Sequence, residues 1–157
     1  MSRKKKLFKK IPPIKDYKYS NYLISKFINI IMHSGKKDKA KKIIYKVLLM
    51  IKTYYKSNPI KILEQAIENC RTEIEIKTKK IGGCKYRIPV KIQRDRGVSI
   101  AIKTIKQFSQ SRHDKSFTAK LFKEIIDSYN GNSKAIQKKK EIYKLAETNR
   151  AFAHFAF

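Results

Sequence analysis

The sequence predicts a mainly α-helical fold, a bundle of about six helices carrying one protruding two-stranded β-hairpin arm. Three observations predict it. Apolar residues recur every three or four positions through most of the chain. The rhythm shortens to two only between Glu73 and Ile92. The pair Gly82, Gly83 divides that stretch into two strands of one hairpin. At 157 residues and 41% hydrophobic content, one domain spanning 1–157 is expected, with a modest core.

The elements follow in order. Residues 1–15 read as an extended basic tail, with Arg3, Lys4, Lys5, Lys6, Lys9 and Lys10 followed by the helix-opposing Pro12 and Pro13. Such a tail orders only when laid on nucleic acid. Ser20 is placed to cap a first helix whose apolar positions are Leu23, Phe27, Ile30 and Ile31, with Gly35 ending it. From Asp38 a second helix buries Ala40, Ile43, Ile44, Val47, Leu48 and Ile51, and Lys39, Lys41, Lys42 and Lys46 fall mostly on its other side. Asn58 before Pro59 is a start signal, a capping amide and then a residue whose missing N–H is not needed. Leu63, Ala66, Ile67 and Cys70 form the buried stripe of that third helix.

The arm occupies 73–92. Ile74, Ile76 and Thr78 alternate with Glu75, Lys77 and Lys79, and Tyr86, Ile88, Val90 and Ile92 with Lys85, Arg87 and Lys91. Pro89 cannot donate to an interior ladder, so its strand has a free edge, and the ribbon needs helices at its base. Beyond Gly97 the helical period returns with Ala101, Ile102, Ile105 and Phe108. A fifth helix carries Phe117, Leu121, Ile125 and Ile126 before the Asn130, Gly131 stop, and a last one carries Ile136, Ile142, Leu145 and Ala146.

Charge indicates the class of partner. The 39 Lys and Arg stand against 12 Asp and Glu, a formal net charge of +27 that points to RNA or DNA. Part of the lysine excess tracks an A/T-rich coding bias, which the abundance of Lys, Ile, Asn and Tyr also suggests. No stretch approaches the roughly 20 apolar residues of a membrane span, and no apolar stretch follows the basic start, against a secretory signal. Cys70 and Cys84 read as ordinary thiols. His33, His113 and His154 lack metal-ligand spacing, and no cofactor is implied. The pairs Glu64, Glu68 and Glu73, Glu75 read as local charge compensation, and Gly82, Gly83 lacks the Lys and Ser/Thr of a nucleotide-binding loop. No enzyme is expected. Tyr17, Tyr19, Tyr22, Tyr86, Phe152, Phe155 and Phe157 are candidates for base stacking or for packing, with Tyr86 the one expected near nucleic acid.

From end to end the chain resembles the small-subunit ribosomal protein seven family of the bacterial and organellar type. The residues that carry the resemblance are Lys26, Phe27, Ile28, Asn29 with Met32 and Gly35, Lys36, Lys37, Ala40; Asn58, Pro59; Ala66 through Asn69; Ile81, Gly82, Gly83, Tyr86, Pro89, Val90; and Ala146, Glu147, Asn149, Arg150, Ala151, Phe152, Ala153, His154. The resemblance implies a primary rRNA-binding protein that nucleates the small-subunit head on the 3′ major domain. It implies rRNA contacts from the tail residues named above and from Lys36, Lys37, Lys77, Lys79, Lys80, Arg94, Arg96, Arg112, Lys138 and Lys139. Gly82, Gly83, Lys85, Tyr86, Arg87, Asn149 and Arg150 would lie near exit-site tRNA and mRNA. Other head proteins and ribosomal protein eleven would be neighbours, with no membrane and no homo-oligomer. Thr72, Thr104 and Gln137 replace a proline, a tryptophan and a lysine usual in the family, and Lys79 and Lys80 replace arginines, exchanging planar forks for point charges. The chain starts almost where this family starts, with no room for a transit peptide. With the coding bias, that makes a plastid ribosome the first expectation, ahead of a mitochondrion or a bacterial cytoplasm. The alternative class is an architectural DNA-bending protein using the basic arm, although such proteins set a proline near the arm's tip.

Overall fold

The computed structural model describes residues 14–156. Six α-helices, one two-stranded antiparallel ribbon and a terminal 3-10 segment follow one another: α1 (Tyr22–Ile31), α2 (Lys37–Tyr55), α3 (Pro59–Cys70), β1 (Ile74–Ile81), β2 (Cys84–Lys91), α4 (Arg94–Gln110), α5 (Phe117–Asn130), α6 (Lys134–Thr148) and the segment Arg150–Ala156. This is the mainly α bundle with one hairpin arm. The tail residues Arg3, Lys4, Lys5, Lys6, Lys9 and Lys10, and the terminal Phe157, lie outside the described residues.

Helix α5 is the hub, packing on α2, α3 and α4, with α1 closing the far side against α2 and α4. Phe27, Ile44, Leu48, Ile51, Leu63, Ile67, Ile102, Ile105 and Leu121 are fully buried between them. At about 25 cal/mol per Å² of apolar area, burial of side chains this size contributes roughly 2 kcal/mol each before entropy is charged against it. The ribbon leaves this body from the α3 end, with α6 packed on β1 and the terminal segment on β2.

Several starts and faces differ from expectation. Asn21, not Ser20, caps α1: its Oδ1 accepts from Leu23 N at 2.7 Å and Ile24 N at 3.4 Å. Ser20 has a left-handed φ of 48° and donates its N–H to Asp16 O at 2.8 Å instead. The buried Asp16 organises that entry, accepting from Lys18 N, Tyr19 N and the Tyr45 hydroxyl. Ile24 and Ile28 are buried on α1, whereas Leu23 and Ile30 are only half-buried. Helix α1 ends at Ile31, so Gly35, with φ 71°, serves the turn into α2.

Gly97 lies inside α4 rather than before it. A Cβ there would meet the Thr72 carbonyl oxygen at 2.7 Å, so glycine is what lets α4 approach the α3–β1 junction. On α5 the buried stripe includes Glu124 and Ser128, with Ile126 half-buried. On α6 only Ala135 and Ala146 are buried, while Leu145 stays exposed, and the helix packs on β1, α4 and α3.

Lysine and asparagine side chains close helix ends across the bundle. Lys106 Nζ donates to Ile30 O of α1 at 2.7 Å, and Lys139 Nζ to Asn69 O of α3 at 2.9 Å. Asn69 Nδ2 in turn donates to Ser128 O and Tyr129 O of α5, each at 3.1 Å. The last carbonyls of a helix have no partner within it, and a cation there also meets the negative end of the dipole.

Candidate nucleic-acid interface

The arm is set by its turn. Gly82 and Gly83 have φ of 55° and 88°, the left-handed values of a type I′ hairpin, and nothing lies within 4 Å of where either Cβ would be. Conformation, not space, requires glycine at the tip. The register pairs Ile81 with Cys84, Lys80 with Lys85, Lys79 with Tyr86, Thr78 with Arg87, Lys77 with Ile88 and Ile76 with Pro89. Pro89 is therefore remote from the tip, on a strand with a free edge.

Lys80 and Lys85 face each other directly, and like charges so placed destabilise a ladder. Neither side chain has a hydrogen-bond or ion-pair partner among the described residues, nor do the exposed side chains of Lys77 and Arg87, although Lys77 lies near enough to Glu75 to help lower its carboxyl. Lys36 and Lys37 at the α1–α2 turn are likewise exposed, and α2 begins there without a side-chain cap.

Other basic candidates are engaged within the fold. Arg96 grips Glu75 with two parallel bonds, Nε to Oε2 and a terminal nitrogen to Oε1, both 2.7 Å, locking α4 to the ribbon base. The Arg96 hydrogen bond holds the Glu75 carboxyl below the ordinary carboxylate range. Arg71, which the sequence does not single out, binds Glu68 at 2.7 Å and Glu73 at 3.5 Å, lowering the Glu68 carboxyl chiefly through their hydrogen bond. Arg94 is largely exposed, 3.9 Å from Glu68. Arg112 bonds Glu124 Oε2 at 2.7 Å through Nε and also pairs with Asp127. Lys138 pairs with Glu141 at 3.0 Å on the surface, and Lys139 closes α3.

The terminal segment is part of this surface. Tyr86 packs on Phe152 and Phe155, ring centroids 5.0 and 6.3 Å away, and Lys79 Nζ donates to Phe155 O at 3.0 Å. The ring expected to reach nucleic acid is thus half-buried against the chain's own end. Asn149 turns its Nδ2 back to Leu145 O at 2.8 Å to close α6, whereas Arg150 is exposed. Tyr17 is fully exposed, Tyr19 packs edge-on to Tyr45, and Lys26 lies over the Tyr22 ring.

Cys70 is buried, which pushes its thiol pKa up, and Cys84 is exposed beside the turn; both are free thiols. Among the described residues no group of three His, Cys, Asp or Glu is assembled that would hold a metal, and no helix is long and apolar enough to cross a membrane.

Residues 2–150 match the family described as Ribosomal protein S7p/S5e. The chain belongs to that family. The small ribosomal subunit protein uS7 of Geotalea daltonii is 36% identical over 155 residues, covering 99% of each chain. That of Thermosipho melanesiensis is 37% identical over 155 residues, again 99% of each. That of Desulfatibacillum aliphaticivorans is 39% identical over 140 residues, 89% of this chain and 90% of the relative. Membership makes this chain a structural constituent of the small ribosomal subunit, located on the ribosome and not an enzyme. The S7p/S5e match covers the bundle, the arm and the start of the terminal segment.

Proposed function

We infer that this S7p/S5e chain is a primary rRNA-binding protein that nucleates the small-subunit head on the 3′ major domain. The charge carries this reading: a formal net +27, with Lys36, Lys37, Lys77 and Arg94 exposed away from the arm's tip, calls for a polyanion to neutralise it. A-form RNA hides its base edges in a deep groove, so recognition rests on junction shape, phosphates and 2′-hydroxyls.

Lys36, Lys37, Lys77, Lys80 and Arg94 are the cations best presented for phosphate, joined by the tail. Arg96, Arg112 and Lys139 act behind them, holding the surfaces in place. The hairpin tip at Gly82, Gly83, Lys85 and Arg87, with Arg150, faces exit-site tRNA and mRNA, and Tyr86 and Asn149 shape that edge from behind. Other head proteins and ribosomal protein eleven are its neighbours. The richness in Lys, Ile, Asn and Tyr, residues with A/T-rich codons, favours a plastid ribosome. Nothing in the family match favours the DNA-bending alternative, and Pro89 sits too far from the tip to wedge between bases.

The salt dependence of binding to a small-subunit 3′-domain transcript tests this. Affinity falls with a slope of about −0.7 to −0.9 per neutralised phosphate. Removing residues 1–10 should weaken binding and flatten the slope; an unchanged slope removes the tail from the interface. Cutting the arm back at Gly82 and Gly83 should spare rRNA binding and disturb exit-site tRNA or frame maintenance, whereas loss of head assembly would reverse that assignment.

A further inference from the structure

One aromatic cluster takes no part in the surface described above. Where the end of α2 meets α5, Tyr54 packs edge-to-face on Tyr55 and Phe122, ring centroids 5.0 and 6.0 Å away at interplanar angles of 76° and 81°. Tyr55 contacts Tyr129 in the same manner at 5.5 Å and 67°. Tyr54 is nevertheless 66% exposed and Tyr129 37%. Two near-perpendicular neighbours fix the Tyr54 plane, so a flat ring face is held ready in water without further loss of side-chain freedom on binding.

From Lys39 on, the charge that α2 and the turn after it bring is of one sign. Between Lys39 and Leu63 the chain has seven lysines and no acidic residue. The nearby acids of α5 are engaged, Glu124 and Asp127 by Arg112, and Asp114 just before α5 is bound by Lys123. Among the described residues, an anion approaching this seam meets ammonium groups and ring faces, and the carboxylates of α5 and the turn before it are each held by a cation.

The geometry points to a second RNA site here, a stacking platform at the α2–α5 seam on which an unpaired base lies against Tyr54, with Tyr129 beside it and Lys52 and Lys56 taking the flanking phosphates. A ring fixed in plane and a cationic rim are the two elements of sequence-tolerant single-strand binding. Duplex RNA offers no free base face to Tyr54, so the site selects single strands. The inference extends the rRNA-binding reading to a surface away from the arm.

The test uses the full-length protein, a short oligouridylate, an RNA duplex of equal length and an oligoglutamate peptide. Tyr54→Ala should lower oligouridylate affinity about tenfold while leaving duplex affinity unchanged. Tyr54→Phe, which keeps the ring, should bind as the parent does, and Tyr129→Ala should show a smaller loss of the same selectivity. Equal losses on single strand and duplex, or none, would overturn the platform and leave only a charged face. Loss of oligoglutamate binding in Tyr54→Ala would overturn it in favour of an acidic protein partner. Thermal melts exclude misfolding, with the Tyr54→Phe rescue as the internal control. Failure of the parent protein to bind a small-subunit transcript would refute the primary rRNA reading, while a Tyr54-dependent preference for oligouridylate would still stand.

Discussion

Substitution of Arg112 separates a structural arginine from an RNA-binding one. Glu124 is 1% exposed, one of its oxygens is held by Arg112, and the other, Oε1, has no hydrogen-bond partner among the described residues. Arg112 itself is 24% exposed. Arg112→Met therefore leaves a buried carboxylate without its counter-charge, and breaking such a pair from one side costs roughly 3 kcal/mol. With a urea m-value of about 2 kcal/mol/M, the unfolding midpoint should fall by about 1.5 M. The double variant Arg112→Met, Glu124→Met should recover most of that loss, since two apolar side chains can replace a buried ion pair. Asp127 is 40% exposed and stays hydrated in either variant. Equilibrium urea unfolding and the salt dependence of rRNA binding are measured on the same preparations. An unchanged midpoint, with the salt slope shallower by about 1, would refute the structural assignment and return Arg112 to the phosphate contacts.

Three further outcomes follow from the packing. Gly97→Ala drives a Cβ against the Thr72 carbonyl and should destabilise by roughly 2 kcal/mol despite alanine's better helix propensity, read as a fall in melting temperature; a gain in stability would show that α4 can shift. Burial and the hydrogen bond to Asp16 push the Tyr45 phenol up to about 12, above its unfolded value near 10. Its contribution is therefore complete below pH about 10 and lost as pH rises through the folded value; Tyr45→Phe should be less stable at neutral pH and flatter across that window in alkaline melts. Glu75 and Glu68 are depressed, so their contribution is present above the ordinary carboxylate range and lost as pH falls through their lowered values. Amide exchange at the ribbon base should rise there in acid, and Glu75→Gln should remove part of the dependence.

Much of the fold is legible in the chain because it is encoded locally. Asn58 before Pro59, the α2 stripe from Ala40 to Ile51 and the Gly82, Gly83 turn each need only neighbouring residues, and each forms as read save that Ile43 of the stripe is half-buried. The misplacements occur where tertiary approach decides. Gly97 resembles a helix boundary until the Thr72 carbonyl is brought against it, and Asn21 takes the cap from Ser20 because Asp16 holds the preceding turn. The candidate interface is less legible still. A lysine or arginine looks the same in sequence whether it meets solvent or a carboxylate 12 or 21 residues away, as Arg112 and Arg96 do, or a helix-end carbonyl 76 residues away, as Lys106 does. Tyr86 likewise finds its partners in the terminal Phe152 and Phe155.

The measurement that bears most directly on the account is a backbone footprint of the full-length protein on its cognate small-subunit transcript in moderate salt, with duplex DNA present as competitor. Protections confined to the 3′ major domain, and reduced when residues 1–10 are removed, are the expected result. Protections scattered along the transcript, or erased by the competing DNA, would contradict it.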